Sequence, residues 1–461
     1  MKFINRIKEL ETLEREYSKD SSFVIIYGRR RVGKTALINK FLSNHANSMY
    51  FLATLESEKE NKNYFKNLVS EYTSNPLIKT SDLSWEDIFR YLVEYKKEEK
   101  LIIVIDEFQY LGKINPSFPS IMQRIWDLYL QKNNVMLILC GSLISLMKQQ
   151  TLDYSSPLYG RRTAQIKLKQ IEFKHYHEFF GNLNEEQLVQ LYSITGGVPK
   201  YIEAFVNEED IYDAIANNVL DKQNYLYEEP YFLLSNEVTE VGSYFTIIKA
   251  IAFGNHKLEK ISSYIGKKAT DLTKYLKTLI DLDLLKREVP ITEEFPEKSK
   301  KGLYYINDNF INFWFKFKYI YNTNLEREET EFVINQIKKS FIDTHVSYIY
   351  EDICREKMWD LKNQGLFNCE FNKIGKYWDA NCEIDIVALD TINKKFIIGE
   401  CKYSKNKKGL DVYSDLINNK LEVLKKVLPD YKVENIIIFS KSGYTDDLIE
   451  LAKVNTKIVL I

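Results

Sequence analysis

The stretch SSFVIIYGRRRVGKTALINKFL, from Ser21 to Leu42, leaves a folding chain few options. A short apolar strand, Phe23 to Tyr27, runs into Gly28-x-x-x-x-Gly33-Lys34-Thr35, and a helical pattern starts at once. Strand, glycine loop and helix in that order predict a phosphate-binding loop. Gly28 and Gly33 let backbone N–H groups wrap phosphate oxygens, and the helix N-terminus adds positive potential. Lys34 is suited to the β- and γ-oxygens, and the Thr35 hydroxyl to a Mg²⁺ ion. ATP and Mg²⁺ are therefore the expected cofactors.

A second buried strand, LIIVIDEFQYL (Leu101 to Leu111), ends in Asp106 and Glu107. Acids at the carboxyl end of a parallel strand lie where α/β sheets bind ligands. Asp106 is expected to hold Mg²⁺ through water, and Glu107 to act as general base on the attacking water. A third strand, VMLILC (135–140), leads to Ser142. Ser142 either senses the γ-phosphate or caps the next helix.

Net charge over the 461 residues is −1, so contact with nucleic acid has to come from local basic patches. Five cysteines without a C-x-x-C pair give neither a disulfide framework nor a zinc site. The opening MKFINRIKELETLEREY is charged and helical, and no apolar run is long enough to span a bilayer. The expectation is a soluble cytoplasmic protein with no membrane partner.

These motifs resemble the archaeal-type ATPases of the AAA+/STAND group. Phe3, Arg6, Glu9, Leu10 and Leu13 are similar to that group's opening signature, SPLYGRRT (156–163) to its stretch after the sensor strand, and GGVPKYI (196–202) to its lid motif. The resemblance implies that Arg161 or Arg162 acts on a γ-phosphate, in cis or in a neighbouring subunit of a homo-oligomer. It also implies that Pro199 lies near the adenine. Lys200 stands where some AAA+ proteins keep a lid arginine.

From residue 241 the pattern changes. Three helical stretches precede two strands, LLKREVPI and GLYYIND, around a tip with Lys298, Lys300 and Lys301. That order predicts a winged helix-turn-helix. Between Tyr244 and Pro290 there are nine Lys/Arg against five Asp/Glu, with Lys267, Lys268, Lys274 and Lys277 around the third helix. DNA is the expected partner, and a protein-interaction module is the alternative. The aromatic run NFINFWFKFKYIY (309–321) reads as a buried helix at a domain junction rather than a base-stacking surface.

The last third predicts a hairpin in CEIDIVALDTINKKFIIGECKYSK (382–405). Asp385 lies on its first strand, and Glu400 and Lys402 lie on one face of its second. A preceding helix carries Glu351. This order of elements, with Asp and then Glu-x-Lys, resembles the PD-(D/E)xK nuclease fold, although Ile384 replaces the leading proline. Two converging carboxylates suit a hard divalent cation, so Asp385 and Glu400 are the expected metal ligands. Lys402 would stabilise charge on a scissile phosphate, and Glu351 would be a further ligand or an electrostatic support. The alternative is a buried ionic network that only holds the hairpin.

The predicted fold is α/β throughout: a P-loop parallel-sheet ATPase core (1–165), a helical lid (166–240), a winged helix-turn-helix (241–307), linker helices (308–340) and a restriction-endonuclease-like domain (341–461). Two functions follow: an ATPase acting on DNA with a Mg²⁺-dependent nuclease domain, or a STAND-like nucleotide switch with an inactive C-terminal domain.

Overall fold

The computed structural model describes residues 3–95, 99–181 and 183–461. The chain divides into two compact units. The first holds the described residues up to Ile171, together with Val198–Glu203 and Phe232–Thr239. The second holds Glu172–Gly197, Ala204–Tyr231 and Glu240–Ile461. The stretch expected as a lid is thus shared between the two.

The first unit is built on five parallel strands: β1 (Ser22–Tyr27), β2 (Ser48–Leu52), β3 (Leu101–Asp106), β4 (Val135–Gly141) and β5 (Ala164–Lys167). Their order across the sheet is β2-β3-β4-β1-β5. Every residue of β1, β3 and β4 is buried, which is why they read as unbroken apolar runs rather than alternating ones. One face of the sheet packs Val24, Ile26, Ile102, Val104, Met136 and Ile138 against Leu13, Leu37, Ile38 and Phe41. Each such side chain contributes about 1.5–3 kcal/mol by leaving water. Because β4 lies between β1 and β3, the loops after these three strands open side by side at one sheet edge.

In the second unit, helices Val241–Ala252, Leu258–Ile265 and Ala269–Asp281 precede an antiparallel pair, β6 (Leu285–Glu288) and β7 (Leu303–Ile306). Leu272, Leu276 and Leu279 recur at helical spacing and are all buried. The aromatic run is buried at Phe310, Phe313, Trp314, Phe315 and Phe317. The charged stretch after it is less solvated than its composition implies, since Val333, Ile334, Ile337 and Phe341 of helix Thr330–Phe341 are buried.

The chain ends in a mixed sheet of β8 (Lys373–Trp378), β9 (Glu383–Asp390), β10 (Lys395–Lys402), β11 (Lys432–Ser440) and β12 (Ile458–Leu460). Its order is β12-β11-β10-β9-β8; β8, β9 and β10 are antiparallel, and β11 and β12 continue parallel to β10. Helix Ser347–Asn363 packs on β10. Gly399, in mid-strand, is needed for space: an added Cβ would meet Ile437 Cγ2 at 2.4 Å and the Ile437 carbonyl at 3.1 Å. Gly399→Ala is therefore expected to overpack the β10–β11 seam and cost about 1–3 kcal/mol, read as a lower midpoint in urea unfolding. An unchanged midpoint would show that the seam can yield.

Candidate functional site

At the end of β1 the backbone of Gly28 runs so close to β5 that a Cβ would stand 2.3 Å from the Leu168 carbonyl oxygen. Gly33 has φ +96° and caps the helix Lys34–Leu42, a conformation that favours glycine. Pro199 Cγ lies 3.8 Å from where a Gly33 Cβ would be, so the proline packs on the loop. Lys34 folds back: its Nζ donates to the carbonyls of Gly28 (2.8 Å) and Arg29 (2.7 Å). Burial lowers its pKa, against the pull of Cys140, Glu107, Asp106 and Glu237.

Asp106 ends β3 and gathers donors from three segments. Its Oδ1 accepts the Glu107 N–H at 2.8 Å. Its Oδ2 accepts the Thr35 hydroxyl at 3.4 Å and the Tyr50 hydroxyl. Burial and the Asp106 contact push Tyr50 well above its usual range, so it stays a donor. The Thr35 hydroxyl and the Asp106 carboxylate are adjacent hard oxygen donors, which fits Mg²⁺.

Glu107 follows with φ 53°, an unusual value for a glutamate. That turn aims its carboxylate at the end of β4, where it accepts the Ser142 hydroxyl at 2.8 and 3.0 Å and the Gln109 amide. Here Ser142 grips the candidate base, a role that neither sequence alternative named. Arg161 is engaged: its guanidinium binds Asp127 through Nε at 2.8 Å and Nη2 at 2.7 Å, and Nη1 reaches the Pro157 carbonyl at 2.8 Å. Arg162 lies over the Tyr159 ring, and its buried Nη1 has no hydrogen-bond partner among the described residues.

In the C-terminal sheet the antiparallel register sets Gly399 opposite Ile386, and Asp385 and Glu400 are the next residues along their strands. Both are buried; both oxygens of Glu400 are engaged, and one of Asp385. Asp385 Oδ2 accepts the Cys401 N–H at 2.9 Å. Glu400 is gripped by Lys402 at 2.6 Å and by Lys420 at 2.9 and 2.7 Å. Burial and then Asp385 raise the Glu400 pKa, while the two lysines oppose the shift. Glu351 is paired with Lys376, and burial pushes it up to about 7. Beside it Arg355 binds Asp352 and donates to the Asp385 carbonyl at 3.0 Å, and Lys286 from β6 reaches Asp352 at 2.9 Å.

So Glu351, Asp385, Glu400 and Lys402 do come together, with Glu351 and Glu400 each engaged in an ion pair. Among the described residues, no three His, Cys, Asp or Glu side chains are grouped to hold a metal. As arranged, both oxygens of Glu400 carry ammonium partners, and one oxygen of Asp385 carries a backbone amide. Lys420, Lys376 and Tyr50 were invisible in the sequence because each comes from a segment outside the motifs, whereas Arg355 lies one helical turn after Glu351.

A P-loop after β1 and an acid-tipped β3, separated only by β4 in one parallel sheet, define a nucleotide-binding ATPase. Residues 3–205 match an ATPase domain predominantly from Archaea, and residues 314–412 match a group described as archaeal and bacterial proteins of unknown function. An uncharacterised protein of Methanocaldococcus jannaschii is 38% identical over 417 residues, 90% of this chain and 91% of its own. The chain belongs to the family of that archaeal protein and carries an ATPase domain of the kind found predominantly in Archaea. An uncharacterised ATP-binding protein of the same organism is 25% identical over 317 residues, 56% of this chain and 88% of its own. The solved structure of a Walker-type ATPase of Pyrococcus abyssi covers 68% of this chain and 96% of its own, with TM-score 0.54 and 20% identity, a likeness of fold.

Glu400→Gln leaves two lysines facing a lost charge. It is expected to destabilise the fold by about 2 kcal/mol, less than the roughly 3–5 kcal/mol of a fully buried pair because both lysines reach solvent. Unchanged thermal unfolding in this variant would argue that the network is not structural.

Proposed function

We propose that this ATPase is a nucleotide-dependent switch. Its three helices and β6–β7 ribbon act as a winged helix that contacts DNA, and its C-terminal, nuclease-like sheet serves as an inactive platform. The observation that carries this reading is the pairing of Glu400: both its carboxylate oxygens are taken by ammonium groups, and one Asp385 oxygen is used by a backbone amide. No metal-dependent step is assigned there.

In the ATPase unit, Thr35 and Asp106 would hold Mg²⁺, which supplies charge neutralisation at the phosphates when bound. Lys34 exchanges the Gly28 and Arg29 carbonyls for phosphate oxygens. Glu107 takes the proton of the attacking water once Ser142 and Gln109 release it. Arg161 is spent on Asp127, so Arg162 is the arginine assigned to the γ-phosphate. Pro199 holds the loop on the nucleotide side. DNA contact is supported by Lys267, Lys268, Lys274 and Lys277, all exposed and, among the described residues, without an ion-pair partner. Such lysines neutralise phosphates without reading sequence.

A second reading, Mg²⁺-dependent cleavage by Asp385, Glu400 and Lys402 with Glu351 in support, is favoured by one observation. Beside the effect of burial, Asp385 helps raise the Glu351 and Glu400 carboxyls and helps hold Lys402 charged. One set of assays separates the two. Purified protein with Mg²⁺ or Mn²⁺ and plasmid DNA is expected to bind DNA in an ATP-dependent way and leave it uncut. Lys34→Ala should lose ATP binding, and Glu107→Gln should bind ATP but hydrolyse it at least about 100-fold more slowly. Cutting that disappears in Asp385→Ala would overturn the switch in favour of the nuclease.

A further inference from the structure

The helix Glu229–Glu237 ends on an acid that the scheme above does not use. Glu237 lies in Phe232–Thr239, a segment of the ATPase unit. Its Oε1 accepts the Ile144 N–H at 3.2 Å, and the Ser145 N–H also bonds the carboxylate. These amides follow directly on Ser142, the residue that grips Glu107. The second oxygen, Oε2, is buried and has no hydrogen-bond partner among the described residues.

The cations that act on Glu237 are Arg29 and Lys34 of the phosphate loop. Asp106 and Glu107 act on the same Lys34, and the nearest acids along Glu237's own segment are Glu229 and Glu240. A carboxylate thus shares the field of the groups that must receive the phosphates. Two like charges drawn to the same cations disfavour each other.

We propose that Glu237 is a positioning residue for ATP turnover: it clamps the 144–145 turn behind Ser142, and its charge competes with the incoming triphosphate, so that nucleotide binding loosens the clamp. The loosened turn lets the Ser142 hydroxyl leave Glu107, freeing the base. This rests on the reading of Glu107 as general base. Burial pushes the Glu237 carboxyl up to about 7, opposed by the two amides, Arg29 and Lys34. The carboxyl is therefore anionic and repels phosphate above that pH, and is neutral below it. Added phosphates raise its pKa further, so binding takes up a proton on the alkaline side.

The test measures affinity for a non-hydrolysable ATP analogue from pH 6 to 9 in wild type, Glu237→Gln and Glu237→Ala. Comparing proteins at each pH cancels the titration of the analogue itself. At pH 8.5 Glu237→Gln is expected to bind about tenfold more tightly than wild type, as for one like charge removed within about 10 Å. The two should converge below pH 7. Hydrogen exchange in Phe232–Thr239 should rise when the analogue binds wild type, and should already be high in nucleotide-free Glu237→Ala. A wild-type to Glu237→Gln affinity ratio that does not vary with pH, or exchange that the analogue leaves unmoved, overturns the proposal. Glu107→Gln tests the reading beneath it separately: hydrolysis that survives in that variant removes Glu107 as base, whatever the affinity data show.

Discussion

The ATPase unit depends on one carboxylate being satisfied from three directions. Asp106 closes β3, yet its oxygens take hydrogen bonds from Thr35 on the helix after β1, from Tyr50 on β2 and from the adjoining Glu107 amide. A buried acid without such donors would be expensive. With them it ties the helix after the phosphate loop to β3 and β2. The strand order makes this possible, because β4 alone separates β1 from β3 and its following residue, Ser142, reaches Glu107.

The C-terminal sheet uses the same rule to a different end. Its acids are also buried, but their partners are mostly lysines and an arginine rather than hydroxyls and amides. Hydroxyls and amides leave a carboxylate able to receive a cation, whereas two ammonium groups on Glu400 already supply its countercharge. The chain therefore carries two acidic constellations, and they differ in their donors: hydroxyls and a backbone amide on Asp106, two ammonium groups on Glu400.

Much of the first unit was legible. Gly28, Gly33, Lys34 and Thr35 follow a strand and open a helix, so a local pattern carries the site, and β1, β3 and β4 announce themselves as apolar runs. That Glu400 and Lys402 share a face of β10 was also readable, because a two-residue period fixes which side chains point the same way. What the pattern did not contain was the partner set. Lys420 lies twenty residues beyond Glu400 on a helix, and Asp127 lies on a helix far from the arginine it occupies. Glu237 is remote from every motif, yet bonds the turn after Ser142.

By itself, then, the amino-acid sequence determined that this chain makes a phosphate loop, an acid-tipped strand and a hairpin bearing three charged groups, since each follows from spacing and periodicity within a few residues. Only the tertiary structure decided which charges meet. Ionic and hydrogen-bond partners are chosen by distance in space, and a lysine brought in from another helix changes what a glutamate can do while leaving its local sequence untouched.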